Sequence, residues 1–244
     1  MRYSIWLKGW CLALFIVAFA GINFGQSPTP SPSPTPHRDL SFAKRLIRDQ
    51  KAIWTSPFHI DRDDLKVGVP IAIATGALIA TDRHTTDAID RFGTLPAASR
   101  DVSRFGTGYS TAGIAGAFYI AGWASHNEHA RRTGELAAEA MIDTLVVTDV
   151  LKVTFRRQRP FVSDRGLFFK GGSSFPSGHA SNAWATATVI AYQYKNHPLI
   201  KYGAFAAAAL ISMSRFSGRN HFLSDVVVGS AIGFGIGRYV YMHQ

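Results

Sequence analysis

The chain has 244 residues, 47% hydrophobic and 17% charged, enough apolar material for a sizeable core and too much for a disordered protein. Its formal charge of +10 favours anionic partners, either phosphates or an acidic membrane face. It carries no nucleic-acid motif and no basic stretch interleaved with stacking aromatics, so nucleic acid is excluded as a partner.

Residues 1–20 read as a signal peptide or an N-terminal anchor. Arg2 and Lys8 precede the apolar run GWCLALFIVAFAG, and Ala18-Phe19-Ala20 offers small residues where signal peptidase needs them. Either reading sends the rest of the chain out of the cytoplasm. Cys11, the only cysteine, lies in this segment, so the chain beyond it has neither a disulfide nor a thiol nucleophile. Residues 21–36 form a linker whose SPTPSPSPTP stretch favours polyproline II and excludes helix. One domain is expected over 37–244.

From 39 to 54 the pattern is helical. Leu40, Ala43, Leu46, Ile47, Ile53 and Trp54 share a face, and Lys44, Arg45, Arg48 and Lys51 lie off it. Such a helix either packs on the domain or lies on anionic lipid. Further helices are predicted over 61–81, 108–126, 134–158, 179–195, 199–215 and 222–242. Small residues crowd AGIAGAFYIAGWA, AFAAAALIS and VGSAIGFGIG, which suits close helix packing. Strand alternation is absent, so an all-α helical bundle is predicted.

A membrane span needs about 20 mostly apolar residues. The uncharged runs 67–81, 180–194, 202–214 and 226–237 fall short, and 134–158 carries Asp143 and Asp149. Only 105–125 is long enough, and Gly, Ser and Thr dilute it. With a mean hydropathy of +0.05 the bundle is expected to be water-soluble or peripheral.

Three polar clusters interrupt this apolar chain. In the first, Lys152 and Arg159 are seven apart, which places them on one face of a helix that Pro160 ends or bends. Arg156 and Arg157 beside them complement the helix dipole. The second is Pro176-Ser177-Gly178-His179. It opens a helix whose N-terminus is a seat for an anion, with the N–H groups of Ser177, Gly178 and His179 and the Ser177 hydroxyl as donors. Ser177 also reads as a plain N-cap, but a cap leaves His179 unexplained. The third runs from Ser214 and Arg215 to His221 and Asp225. If the chain is helical from His221, a spacing of four puts His221 and Asp225 on one face. An aspartate accepting Nδ1–H leaves Nε2 as a nucleophile or base.

Other polar groups read more plainly. Ser125-His126-Asn127-Glu128-His129 is a polar turn rather than a metal site. Asp82-Arg83-His84 is a solvated helix end. Asp149, three before Lys152, either orients it or is simply exposed.

In order and spacing the three clusters are K-x6-R-P, P-S-G-H and S-R-x5-H-x3-D, from Lys152 to Asp225. This resembles the signature of the type 2 phosphatidate phosphatase superfamily, which includes bacterial acid phosphatases, membrane lipid phosphatases and vanadium haloperoxidases. The resemblance implies a helical core around one phosphate pocket and a set of roles. His221 would attack phosphorus and form a phosphohistidine, and Asp225 would stabilise its imidazolium. Lys152, Arg159, Arg215, Ser177 and Gly178 would bind the phosphoryl oxygens. His179 would protonate the leaving group and then activate water, with no metal or other cofactor.

An exported phosphomonoesterase, working on soluble or lipid phosphates at a membrane surface, is the reading this implies. An integral membrane lipid phosphatase acting on phosphatidate, phosphatidylglycerophosphate or an isoprenyl diphosphate is the alternative. A vanadium haloperoxidase is the lesser one, since the first two clusters are separated only by residues 161–175. A module that merely binds anions has no use for the full His–His–Asp set.

Overall fold

The computed structural model describes residues 41–56, 62–92, 102, 106–163 and 165–243. The signal peptide or anchor, the linker, the domain start at 37 and Leu40 lie outside the described residues. Seven helices are present and no strand is found among the described residues: α1 Phe42–Thr55, α2 Arg62–Phe92, α3 Gly108–Ala124, α4 Glu128–Phe155, α5 Gly178–Gln193, α6 Pro198–Ser217 and α7 Leu223–Met242. The fold is all-α, as the periodicity predicts.

Several boundaries move for identifiable reasons. α4 begins at Glu128 rather than 134, because Asn127 caps it by accepting the Ala130 N–H at 3.0 Å. It stops at Phe155 rather than 158, because Arg156 turns left-handed at φ 44°. α2 runs past 81 to Phe92, so Asp82 lies inside the helix and is not a solvated helix end. α3 has 17 residues and ends at Ala124, so the uncharged run 105–125 is not helical throughout. Among the described residues, Leu223–Met242 is the helix long and apolar enough to cross a membrane.

α5 is the central helix and packs on α4, α6 and α7. Its small residues allow this: Ala180, Ser181, Asn182, Ala183, Ala185, Thr186, Ala187, Thr188 and Ala191 are all buried. Against it α7 sets Gly229, Gly233 and Gly237, spaced four apart along one ridge. A Cβ on Gly229 would sit 2.6 Å from the Ser177 carbonyl, and one on Gly237 would sit 2.6 Å from that of Ala185. One on Gly233 would run into the carbonyl of Ser181. Backbone therefore meets backbone along the pair. This contact fixes where the first turns of α5 and α7 stand relative to each other.

α1 does dock on the domain, but through its polar side. Arg45 Nε donates to Glu139 Oε2 at 2.8 Å, and Gln50 Nε2 to Asp143 Oδ1 at 2.8 Å. Asp49 is fully buried, with Arg48 bonded to it at 2.9 Å. The predicted apolar face is split: Leu46 and Ile53 are half-buried, whereas Ile47 is 70% exposed. Helical periodicity misassigns the contact here because carboxylates on α4 supply partners that the α1 pattern cannot anticipate.

Gly233→Ala is expected to lower stability by about 1–3 kcal/mol through overpacking of α5 on α7. Gly235→Ala, where an added Cβ meets nothing within 4 Å, should be neutral or gain up to about 1 kcal/mol from helix propensity. Denaturation midpoints of the two variants check the order.

Candidate active site

The first turn of α5 is the floor of the site. Ser177 is its N-cap residue, yet no side-chain cap bond forms. Its Oγ is buried without a hydrogen-bond partner among the described residues. A buried hydroxyl left so is costly unless a ligand engages it. The Ser177 N–H donates to the Asp225 carbonyl at 3.0 Å, so it is not one of three donors left for an anion. That leaves the N–H groups of Gly178 and His179, which no preceding turn can satisfy. Lys152, in the last turn of α4, lies across Gly178: a Cβ there would stand 2.8 Å from Nζ. The missing side chain makes room for the ammonium. Asp149 Oδ1 holds the same Nζ at 3.0 Å, so Asp149 does orient it.

Arg159 reaches the site by another route than its spacing predicts. Since α4 has ended, it comes from the following loop and not from a helix face shared with Lys152. Its Nη2 lies 3.4 Å from Ser173 Oγ. Arg215 is buried in the last turn of α6. Its carbonyl accepts the N–H of Asn220 at 3.1 Å and of His221 at 3.3 Å, folding the chain back so that His221 joins the same site. Burial and then Arg159 push Arg215 down to about 10. Burial also lowers Arg159, with Asp225 opposing. His179 is pushed down to about 3, first by burial, then by Arg215, His221, Lys152 and Arg159. All the predicted cations thus bear on His179.

His221 does not sit in a helix. α7 starts at Leu223, so the ring precedes the first turn. Its Nδ1 is 2.7 Å from the Ser174 carbonyl, which must accept Nδ1–H. The Asp225 Oδ2 is 3.7 Å from Nδ1, beyond hydrogen-bond reach though well within Coulombic reach. The tautomer expected from Asp225 is therefore set by Ser174, and Nε2 keeps its lone pair. Burial lowers the imidazole, opposed by Asp225 and reinforced by Arg215 and Arg159. Burial also pushes the Asp225 carboxyl up, but His221, Arg157 and Ser174 together hold it below the usual carboxylate range.

Asp225 is itself tightly held. Oδ2 accepts Ser174 Oγ–H at 2.5 Å and the Phe222 N–H at 3.0 Å, and Oδ1 accepts Arg157 Nη1–H at 2.6 Å. Arg157 is not a surface complement to the helix dipole: it is 1% exposed. Its Nη1 also reaches Ser224 Oγ at 2.7 Å, its Nε the Gly166 carbonyl at 3.0 Å and its Nη2 Asp82 Oδ2 at 2.7 Å. Its guanidinium lies 4.7 Å from the centre of the Phe168 ring and 4.4 Å from that of Phe222. Asp82 accepts the Ser224 N–H on Oδ1 at 3.0 Å and bonds the Ser224 hydroxyl through Oδ2. Phe222 occupies the N-cap position of α7 without a side-chain acceptor, so Asp82 caps that helix from α2. Sequence reasoning misses Arg157, Asp82, Ser174 and Ser224. The one signal is the second arginine of the Arg156-Arg157 pair inside the first cluster. Asp82 has none, because its partner is 75 residues away in the chain.

The PAP2 superfamily profile matches residues 136–244, which hold all eight predicted site residues. A PA-phosphatase related-family protein of Dictyostelium discoideum is 32% identical over 143 residues, 51% of this chain and 52% of that protein. The lipid A 1-phosphatase of Porphyromonas gingivalis is 31% identical over 91 residues, 37% of this chain and 19% of that protein. The chain therefore spans about half the length of the first relative and about a fifth of the second. In fold it is similar to a transmembrane PAP2-type phosphatidylglycerolphosphate phosphatase from Bacillus subtilis. The TM-score is 0.57 at 19% identity, covering 82% of this chain and 92% of that one.

A seated anion neutralises the cations that depress His179, so inorganic phosphate is expected to raise the pH at which this imidazole titrates. NMR of 13C-labelled histidine with and without phosphate reads this directly. Stability is linked to the same proton. With a folded value near 3 against the ordinary 6.5, the unfolded chain binds the proton more readily. The phosphate-free protein should lose stability as pH falls between those values, and phosphate should blunt the loss.

Proposed function

From the match of residues 136–244 to the PAP2 superfamily profile and from the site above, we propose that this chain is a phosphatase that hydrolyses phosphomonoesters through a phosphohistidine on His221. The observation that carries the reading is the convergence of Lys152, Arg159 and Arg215 on His179, the two arginines also bearing on His221, beside a buried Ser177 hydroxyl with no partner among the described residues. Phosphoryl transfer asks a protein mainly for positioning and for positive charge where oxygens gather negative charge. Lys152, Arg159 and Arg215, with the Ser177 hydroxyl and the Gly178 N–H, bind the phosphoryl oxygens.

In the first step the Nε2 lone pair of His221 forms a bond to phosphorus while the bond from phosphorus to the ester oxygen breaks. His179, protonated once the anion offsets its neighbouring cations, gives its proton to the departing alkoxide. The phosphorylated imidazole is cationic, and Asp225 faces it. Water then attacks phosphorus as neutral His179 removes its proton, the P–N bond breaks, and phosphate leaves. Charge on the oxygens is met throughout by the three basic side chains, so hydrolysis should persist in EDTA.

Lipid phosphates are the substrate class we favour. The loop carrying Arg159 also presents Phe161, Val162, Leu167 and Phe169, all exposed, and the Arg159 guanidinium lies 6.0 Å from the centre of the Phe161 ring. An acyl chain can rest on those side chains with its phosphate in the cationic pocket. The lipid-related names of the relatives above point the same way. The protein is exported and held at a membrane with its site outside the cytoplasm. Exposed apolar residues on several helices suit a lipid contact: Ile47 on α1, Trp123 on α3 and Val153 on α4 are 70%, 70% and 75% exposed. They also favour the integral membrane lipid phosphatase as a second reading.

His221→Ala is expected to abolish turnover and phosphoenzyme formation. His179→Ala should lose little on nitrophenyl phosphate, whose leaving group needs no proton, and about 10²–10⁴-fold on an alkyl or lipid phosphate. Equal losses on both substrates would remove His179 as the acid. Activity destroyed by chelation and restored by a divalent ion would overturn the metal-free scheme.

Flotation of the full chain with anionic vesicles separates the two membrane readings. Of the four basic residues of α1, Arg45 and Arg48 are engaged by Glu139 and Asp49. Lys44 and Lys51 are left to contribute about 1 kcal/mol each at an anionic surface. Release at high salt marks a peripheral enzyme. Retention at high salt, together with a need for detergent, marks an embedded one.

A further inference from the structure

The buried charges behind His221 are more numerous than the reaction scheme uses. Asp225 faces the imidazole, Arg157 stands behind Asp225, and Asp82 stands behind Arg157, all three almost fully buried. A guanidinium 2.6 Å from one carboxylate oxygen would, by itself, cancel much of the negative charge that Asp225 presents to His221. Asp82 sits on the far side of the same guanidinium, at 2.7 Å. Two carboxylates and one guanidinium leave one net negative charge in a dry place. Such a charge is costly unless a cation faces it. The group that faces it is the imidazole of His221.

We propose that Asp82 and Arg157 are positioning residues for this reaction. Arg157 fixes the Asp225 carboxylate behind His221, and Asp82 neutralises Arg157 so that the Asp225 charge stays effective at the imidazole. This rests on the reading of His221 as the nucleophile. Apart from the bond of Arg157 Nε to the Gly166 carbonyl, the polar contacts of the pair run to each other, to Ser224 and to Asp225. Ser224 is bonded by both Asp82 and Arg157, and Asp225 is the next residue along α7. The rings of Phe168 and Phe222 cover the guanidinium and keep water from screening it. Asp82 lies on α2, outside the residues that match the superfamily profile, so the site draws its charge balance from a helix before that region.

A purely structural role is the competing account, since Asp82 also caps α7 through the Ser224 N–H. Charge separates the two. Asp82→Asn keeps an oxygen for that N–H and removes one negative charge, whereas Arg157→Gln removes one positive charge. The groups bearing on the His221 imidazole are Asp225, Arg215 and Arg159, with His179 beside it; neither substitution replaces any of them, and only Arg157→Gln removes a bond to one, the 2.6 Å contact with Asp225 Oδ1.

The test is the titration of the His221 imidazole by NMR in the full chain, together with the rate of phosphoenzyme formation. Asp82→Asn should move the titration to lower pH and Arg157→Gln to higher pH. Both should slow phosphoenzyme formation by roughly ten-fold or more through lost positioning. Titrations unmoved, or moved in the same direction, would overturn the proposal. Should a single variant unfold, Asp82→Asn with Arg157→Gln restores the local balance of charge. It should titrate as the wild type while phosphorylating slowly, and a wild-type rate would overturn the proposal. The His221 titration needs no substrate. A wild-type chain that never becomes phosphorylated on His221 defeats the phosphatase reading instead, and is told apart in that way.

Discussion

The carboxylate of Asp225 is the point from which the site is built. One oxygen gathers the Ser174 hydroxyl and the Phe222 N–H, and the other takes the Arg157 guanidinium. The backbone carbonyl of the same residue holds the Ser177 N–H. Four chain segments are thereby tied to one buried residue: the loop before α5, the cap of α5, the start of α7 and the loop after α4. Ser174 then uses its carbonyl to set the His221 ring. A buried carboxylate is expensive to desolvate, and these charge-assisted bonds offset that cost. The arrangement is consequently one in which any segment that shifts leaves a buried charge unpaired.

The close approach of α5 and α7 makes this possible. Gly229 lets the Ser177 carbonyl come against the α7 backbone, in the same turn that delivers the Ser177 N–H to Asp225. Small residues in this bundle thus serve the chemistry as well as the core. They bring one helix start against another, where the Ser177 N–H at the cap of α5 meets the Asp225 backbone carbonyl in the first turn of α7.

On the open side the balance is reversed. Lys152, Arg159 and Arg215 face His179; burial first, and then the neighbouring positive charges, lower both Arg215 and His179. Cations gathered in a half-dry pocket raise the free energy of the site, and the phosphoryl group of the proposed substrate would offset it. On the mechanism proposed above, the proton that His179 gives to a leaving group arrives with the same event. Anion binding and acid activation are then one electrostatic process. The loop that supplies Arg159 carries exposed aromatic and aliphatic side chains, so charge and apolar surface meet at the mouth of the pocket.

Much of this is legible in the residues alone. The helical class comes from periodicity and from small residues in long apolar runs, both local properties. The three clusters are also local, and they contain the eight residues, expected from the family resemblance, that the structure brings near one another. The departures share one cause. Spacing sets Lys152 and Arg159 on a common helix face, but the left-handed Arg156 ends that helix first. An i,i+4 pairing gives Asp225 the Nδ1–H bond that the Ser174 carbonyl takes. Asp82 and Arg157 look like surface charges, although each is buried against the other. Periodicity makes the apolar face of α1 its contact, whereas carboxylates on α4 engage its polar side. Helix type depends on neighbours a turn away, which the sequence displays. The burial of a charge, and which atom answers it, depends on partners far along the chain, and only tertiary packing brings those together.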